Sequence, residues 1–101
     1  MLNYWEFSGE VIKIRESDSE DVGATLLLKG VAERPDNEST QIVEFIVSFP
    51  PRIWEQLCND GLRPYSIVEA KGHFETSIRA SDINIRTSTR YFADEARIVK
   101  R

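Results

Sequence analysis

The sequence predicts an all-β protein, a five-stranded barrel with one short α-helix between strands three and four. Three observations carry that reading. Apolar and polar residues alternate over separate runs rich in β-branched and aromatic residues, the period-two signature of half-buried strands. Only one segment, following Pro50-Pro51, changes to helical spacing. The length of 101 residues suits one core, because a chain of this size buries roughly two thirds of its unfolded surface. Residues 1–101 are therefore read as one domain.

The first strand runs from Tyr4 to Arg15. Trp5, Phe7 and Val11 share one parity before Ile12 and Ile14 take the other, and Gly9 is placed for the bulge such a switch needs. Glu16-Ser17-Asp18-Ser19-Glu20-Asp21, closed by Gly23, reads as a turn. Strand two spans Ala24 to Glu33, Arg34 to Ser39 forms a second turn, and Gln41 to Phe49 is strand three. Pro51 fits the first turn of a helix, where its missing N–H costs nothing. Ile53, Trp54, Leu57 and Cys58 then fall on one helical face, and Asn59-Asp60-Gly61 supplies the stop. Strand four is expected from Tyr65 to Ile78 and strand five from Tyr91 to Val99, with a polar Arg/Ser/Thr-rich connection over residues 79–90 between them. Ile83 and Ile85 offer an extension of either strand as a projecting hairpin.

Composition excludes several classes. With 41% hydrophobic and 30% charged residues, and glycine and proline together numbering nine, the chain suits neither disorder nor a collagenous repeat. No apolar run approaches the roughly 18 residues of a membrane span, and the start lacks the pattern of a secretory signal, so a cytoplasmic protein without membrane contact is expected. One cysteine, Cys58, and one histidine, His73, rule out an internal disulfide and a cysteine-based zinc cluster. The net charge of −4 hides an asymmetry: residues 1–50 carry 10 acids against 4 Lys/Arg, residues 51–101 carry 7 against 9. Such a split points to one basic face.

Three strands, a helix, then two strands is the order of the oligonucleotide-binding barrel, or OB fold, whose helix plugs the gap between strands three and four. An SH3-like barrel would fit the strands without calling for that helix. The segment Leu62-Arg63-Pro64-Tyr65-Ser66-Ile67-Val68-Glu69-Ala70-Lys71-Gly72-His73-Phe74 resembles bacterial single-stranded-DNA-binding proteins and the related primosomal replication protein. Ser8-Gly9-Glu10-Val11 and Val43 to Phe49 extend the resemblance more loosely over most of the chain. It departs in two places: Tyr65 stands where the family has glycine, and Pro50-Pro51 where it has glycine and a basic residue. The family's acidic, phenylalanine-ended tail has no counterpart before Val99-Lys100-Arg101, so recruitment of partners through a tail is not expected.

A groove of Lys/Arg with aromatic rings for base stacking is what single-strand binding requires. The resemblance implies that Phe45 and Phe49 face nucleic acid, whereas strand parity puts both with Val43 and Val47 in the core. Both readings stand at this point. Arg79, Arg86 and Arg90 lie between strands four and five, in one of the two loops with which this fold grips oligonucleotides, against the plainer alternative of a solvated hairpin. Lys29 and Lys71 are mid-strand cations that must point outward, suited to a groove floor or to solubility. Trp54 is assigned to the core with Leu57 and Cys58, while Trp5 and Tyr4 suit stacking or a subunit boundary equally. Cys58 and His73 do not form an activated nucleophile, and Cys58 is expected buried on its helix face. The acidic segment at residues 16–21 lacks calcium-loop spacing, and the sequon Asn37-Glu38-Ser39 has no meaning in a cytoplasmic chain.

These residues together predict non-specific binding of single-stranded DNA, with RNA open, in replication, repair or mobile-element transfer, by a non-enzymatic protein without cofactor or metal. Apolar residues on both parities of strand three predict a homodimer or homotetramer. The alternative is a barrel of the same fold given over to protein–protein interaction, which the acidic first half suits.

Overall fold

The computed structural model describes residues 3–33 and 40–101. The expected turn at Arg34–Ser39, with the sequon, lies outside the described residues. The strands are β1 (Trp5–Glu16), β2 (Ala24–Glu33), β3 (Thr40–Phe49), β4 (Ile67–Ala80) and β5 (Ile85–Lys100), with the helix α1 (Pro51–Asn59) between β3 and β4. They close into a barrel in the order β1-β2-β3-β5-β4. Strand β1 serves two neighbours: Trp5 to Glu10 pair antiparallel with β4, and Glu10 to Glu16 pair antiparallel with β2. The barrel is completed where β3 meets β5 in parallel, at Ser48 opposite Phe92.

One face of each strand points inward. Val11, Leu26, Leu28, Val47, Phe49 and Val68 are fully buried, and Ile53 and Leu57 from α1 join their cluster. At the other end of the core Trp5, Phe7, Phe45 and Tyr91 form an aromatic group, with Phe45 4.5 Å from Tyr91 and 5.1 Å from both Trp5 and Phe7. The Trp5 indole N–H donates to the His73 carbonyl at 2.8 Å, tying β1 to β4.

Four expectations need correction. The irregularity in β1 falls between Val11 and Lys13, and Gly9 has a different task. A Cβ on Gly9 would lie 2.8 Å from the Phe7 ring and 3.0 Å from the Lys29 carbonyl oxygen, so glycine there permits close approach of β2. Strand four begins at Ile67, because Tyr65 has a φ of 71°, a left-handed conformation no strand residue adopts. Tyr65 N–H donates to the Val11 carbonyl and Val11 N–H to the Ser66 carbonyl, both at 2.8 Å, so the bend is clamped on β1.

The third correction concerns α1. Ile53 and Leu57 are buried and Trp54 is half-buried, but Cys58 is exposed, since the helix is rolled to present Ile53 and Leu57 to the barrel. Partial desolvation against the helix surface, then the charge of Glu16, still pushes the Cys58 thiol above its ordinary pKa, which keeps thiolate scarce. The fourth is that residues 79–90 are mostly strand. Strands β4 and β5 pair without a register shift from His73 opposite Phe92 to Ala80 opposite Ile85, leaving a four-residue turn, Ser81 to Asn84. The β-branched residues Thr76, Ile78, Ile85, Thr87 and Thr89 favour this ladder, and the Thr76 and Thr89 hydroxyls meet across it at 3.1 Å. The hairpin projects from the barrel: the radius of gyration is 15.2 Å, against roughly 13 Å for a compact chain of this length.

Candidate nucleic-acid interface

The hairpin register sorts its side chains into two faces. Glu75 opposite Arg90, Ser77 opposite Ser88 and Arg79 opposite Arg86 share one face; Thr76 opposite Thr89, Ile78 opposite Thr87 and Ala80 opposite Ile85 share the other. Arg79, Arg86 and Arg90 therefore form a single ladder. Placing Arg79 directly across from Arg86 sets like charges together, which works against the hairpin's own stability. The Arg90 guanidinium sits 5.2 Å from the centre of the Phe92 ring, and Phe92 stacks on His73 at 5.4 Å with an interplanar angle of 13°. His73 Nδ1 lies 2.9 Å from an Asp94 oxygen, which holds the imidazole in place.

Below the hairpin, one row crosses the outer face of all five strands. Arg15 pairs with Thr25, Thr25 with Ser48, Ser48 with Phe92 and Phe92 with His73. Arg15 and Arg90 line one groove with Thr25 and the start of the β1–β2 loop. A second groove shares Thr25 and Arg90 and runs past Phe45, Tyr91, Ile46 and Ser48. A third lies between Arg79 and Arg86. These grooves make a track from the barrel wall onto the hairpin, with Arg15, Arg90, Arg79 and Arg86 along it, Glu16 and Glu44 at its barrel end, and the Phe45 and Tyr91 rings at its border.

The other predicted residues lie elsewhere. Phe49 is 0% exposed and packs with Ile53 and Leu57, so the core half of its two readings holds and no face of the ring meets the surface. Phe45, at the same parity, is only half-buried, because it lies four residues from the helix-covered end, and its ring borders the second groove. Lys29 is exposed but stands in register between Glu10 on β1 and Glu44 on β3. Lys71 donates to Glu95 at 3.1 Å, and that hydrogen bond and charge raise the lysine pKa. Its surroundings on β1, β4 and β5 include Glu6 and Glu69, so both lysines sit in acidic settings away from the arginine ladder.

Sequence reasoning missed Arg15, Tyr91 and Phe92. Arg15 stands beside the acidic turn, which masks it in any sliding charge count, and only the cross-strand row brings it to Phe92. Phe92 and Tyr91 were legible as strand residues, but their opposite facing follows from the hairpin register.

This architecture is an OB-fold barrel. No protein-family model matches the chain and no curated protein matches it. Solved structures do. The mitochondrial single-stranded DNA-binding protein from S. cerevisiae superposes with a TM-score of 0.65 at 10% identity, covering 96% of this chain and 94% of that one. The Plasmodium falciparum SSB, solved in complex with ssDNA, superposes with a TM-score of 0.63 at 17% identity, covering 99% and 95%. The likeness is one of fold and extends over nearly the whole of each chain. No helix among the described residues is long and apolar enough to cross a membrane.

Proposed function

We propose that this chain binds single-stranded DNA without sequence preference, gripping phosphates with Arg79, Arg86, Arg90 and Arg15 and stacking bases on the half-buried rings of Phe45, Tyr91 and Phe92. The observation that carries the reading is the arginine ladder. Folding gains nothing from Arg79 facing Arg86, whereas a phosphate between two guanidinium groups turns the repulsion into paired attraction. A guanidinium fork on a phosphate reads no base, and aromatic faces accept any base, so the expected binding is sequence-tolerant. Support also comes from the two superposed structures, both of single-stranded-DNA-binding proteins.

The net charge of −4 makes this a local interaction on an otherwise repelling surface. Fluorescence titration with oligo-dT at several salt concentrations tests it: three or four phosphate contacts give a log–log slope of about −2 to −3. A flat salt response, or strong preference for one base order, would remove the reading. Oligo-U in place of oligo-dT separates DNA from RNA preference.

Self-association belongs to the same proposal. The outer face of β2 and β3 presents Val31, Ile42 and Ile46, all exposed, with Val31 directly opposite Ile42. A second copy covering this face gives a homodimer or homotetramer, a form suited to coating strands during replication, repair or mobile-element transfer. Light scattering at tens of micromolar should find more than one chain.

A further inference from the structure

We propose that the β4–β5 hairpin is a wedge that opens the frayed end of a nucleic-acid duplex, an activity that rests on the single-strand-binding reading and adds to it. The hairpin carries arginines on one face and isoleucines on the other. Ile78 and Ile85 are 69% and 76% exposed and are diagonal neighbours on the face opposite the arginine ladder. Ile83, in the turn, is 89% exposed. Its position is not explained by turn chemistry: Ser81 N–H donates to the Asn84 carbonyl and Asn84 N–H to the Ser81 hydroxyl, and turn sites between such partners favour glycine, asparagine or aspartate. Every residue from Glu75 to Arg90 is exposed, so no part of the barrel covers these isoleucines.

The occupant follows from charge and shape together. A projecting, narrow, two-stranded element with cations along one side is attracted to a phosphate backbone. Its apolar side, turned away from that backbone, is left for the other surface a duplex junction offers, the bare face of the terminal base pair. Isoleucine is among the side chains that proteins insert between base steps to unstack them. Asp82, next to Ile83, repels phosphate from the tip itself and leaves the tip to the bases. Toward the barrel the apolar face continues through Thr76 and Thr89 to Phe74 and Tyr91, so a base released at the tip meets a path to the aromatic group. Separation of the strands is driven by capture of the freed single strand. The isoleucines act on the rate of opening, and that is how they can be told from a binding surface.

The experiment uses a short duplex bearing an oligo-dT tail, with fluorophore and quencher at the junction, and the full chain at saturating concentration. Two variants are compared with the parent: Ile83→Asn, and Ile78→Thr with Ile83→Asn and Ile85→Thr, which keep turn and strand preferences. The expected result is oligo-dT affinity within about twofold of the parent and an opening rate lower by on the order of tenfold in the triple variant, with the single variant between. Opening at the parental rate would overturn the wedge. Loss of opening in proportion to loss of oligo-dT affinity would overturn it too, showing a holding surface. A drop in oligomeric state by light scattering would show that a second copy occupies the face. Failure of the parent to bind oligo-dT sinks the underlying reading, while a parent that binds but does not open the junction sinks the wedge alone.

Discussion

Strands β4 and β5 each live in two environments. Toward Ile67 and Lys100 their inward side chains, Val68, Ala70 and Ala93, are buried against β1 and the core. From Glu75 to Arg90 the same two strands have left the barrel, and every residue is exposed. In the first half hydrophobic burial decides which residues are allowed, at roughly 25 cal/mol for each Å² of apolar surface removed from water. In the second half only the ladder itself constrains the sequence, so side chains there are free to follow function. The contrast teaches where to look: a like-charged pair and three bare isoleucines are intolerable in the first environment and informative in the second.

Substitutions in the two halves should separate stability from binding. The largest change in stability is expected from Phe49→Ala, which empties a fully buried site and should cost about 3–5 kcal/mol in chemical denaturation. A small loss there, with weakened oligo-dT binding, would return Phe49 to the interface. Next comes Tyr65→Gly, which releases a left-handed backbone and should raise stability by about 1 kcal/mol, read as a higher melting temperature. The triple change Arg79→Ala, Arg86→Ala and Arg90→Ala should leave stability within about 0.5 kcal/mol per site. It should flatten the salt slope for oligo-dT by about 2. Parental binding in that variant would make the hairpin a solvated projection and bring forward the protein-interaction alternative. Smallest is Lys71→Ala, expected to leave oligo-dT affinity within about twofold, since Glu95 already neutralises that ammonium.

Much of the fold was legible because period-two patterning and the Pro50-Pro51 stop are local signals. The burial of Phe45 and Phe49 was not, since the two share a parity and differ only in distance from α1, a tertiary fact. Cys58 was misplaced because Ile53, Trp54, Leu57 and Cys58 define a stripe without fixing how the helix rolls on its support. Lys71 opposite Glu95 depends on a register shift between Lys71 and Gly72, where a Cβ on Gly72 would overlap the Phe92 carbonyl oxygen. Parity counting cannot pass through such a step. The arginine ladder is the reverse case: once the turn is set at Ser81 to Asn84, simple counting puts Arg79 across from Arg86.

The division of β1 between two partners governs the order in which the chain can fold. Its later half meets β2 across a short turn, but Trp5 must wait for Gly72 and Phe7 for Ala70, partners more than half the chain away. On a ribosome, the β1–β2–β3 meander is complete while the first half of β1, Trp5 to Glu10, still lacks its neighbour and the aromatic group lacks Tyr91. Contacts so distant in sequence slow folding and place barrel closure late. Until then the edge of β1, like that of β3, is open to mispairing, and the Trp5 indole, bonded at the end to the His73 carbonyl, marks the moment the β1 edge disappears.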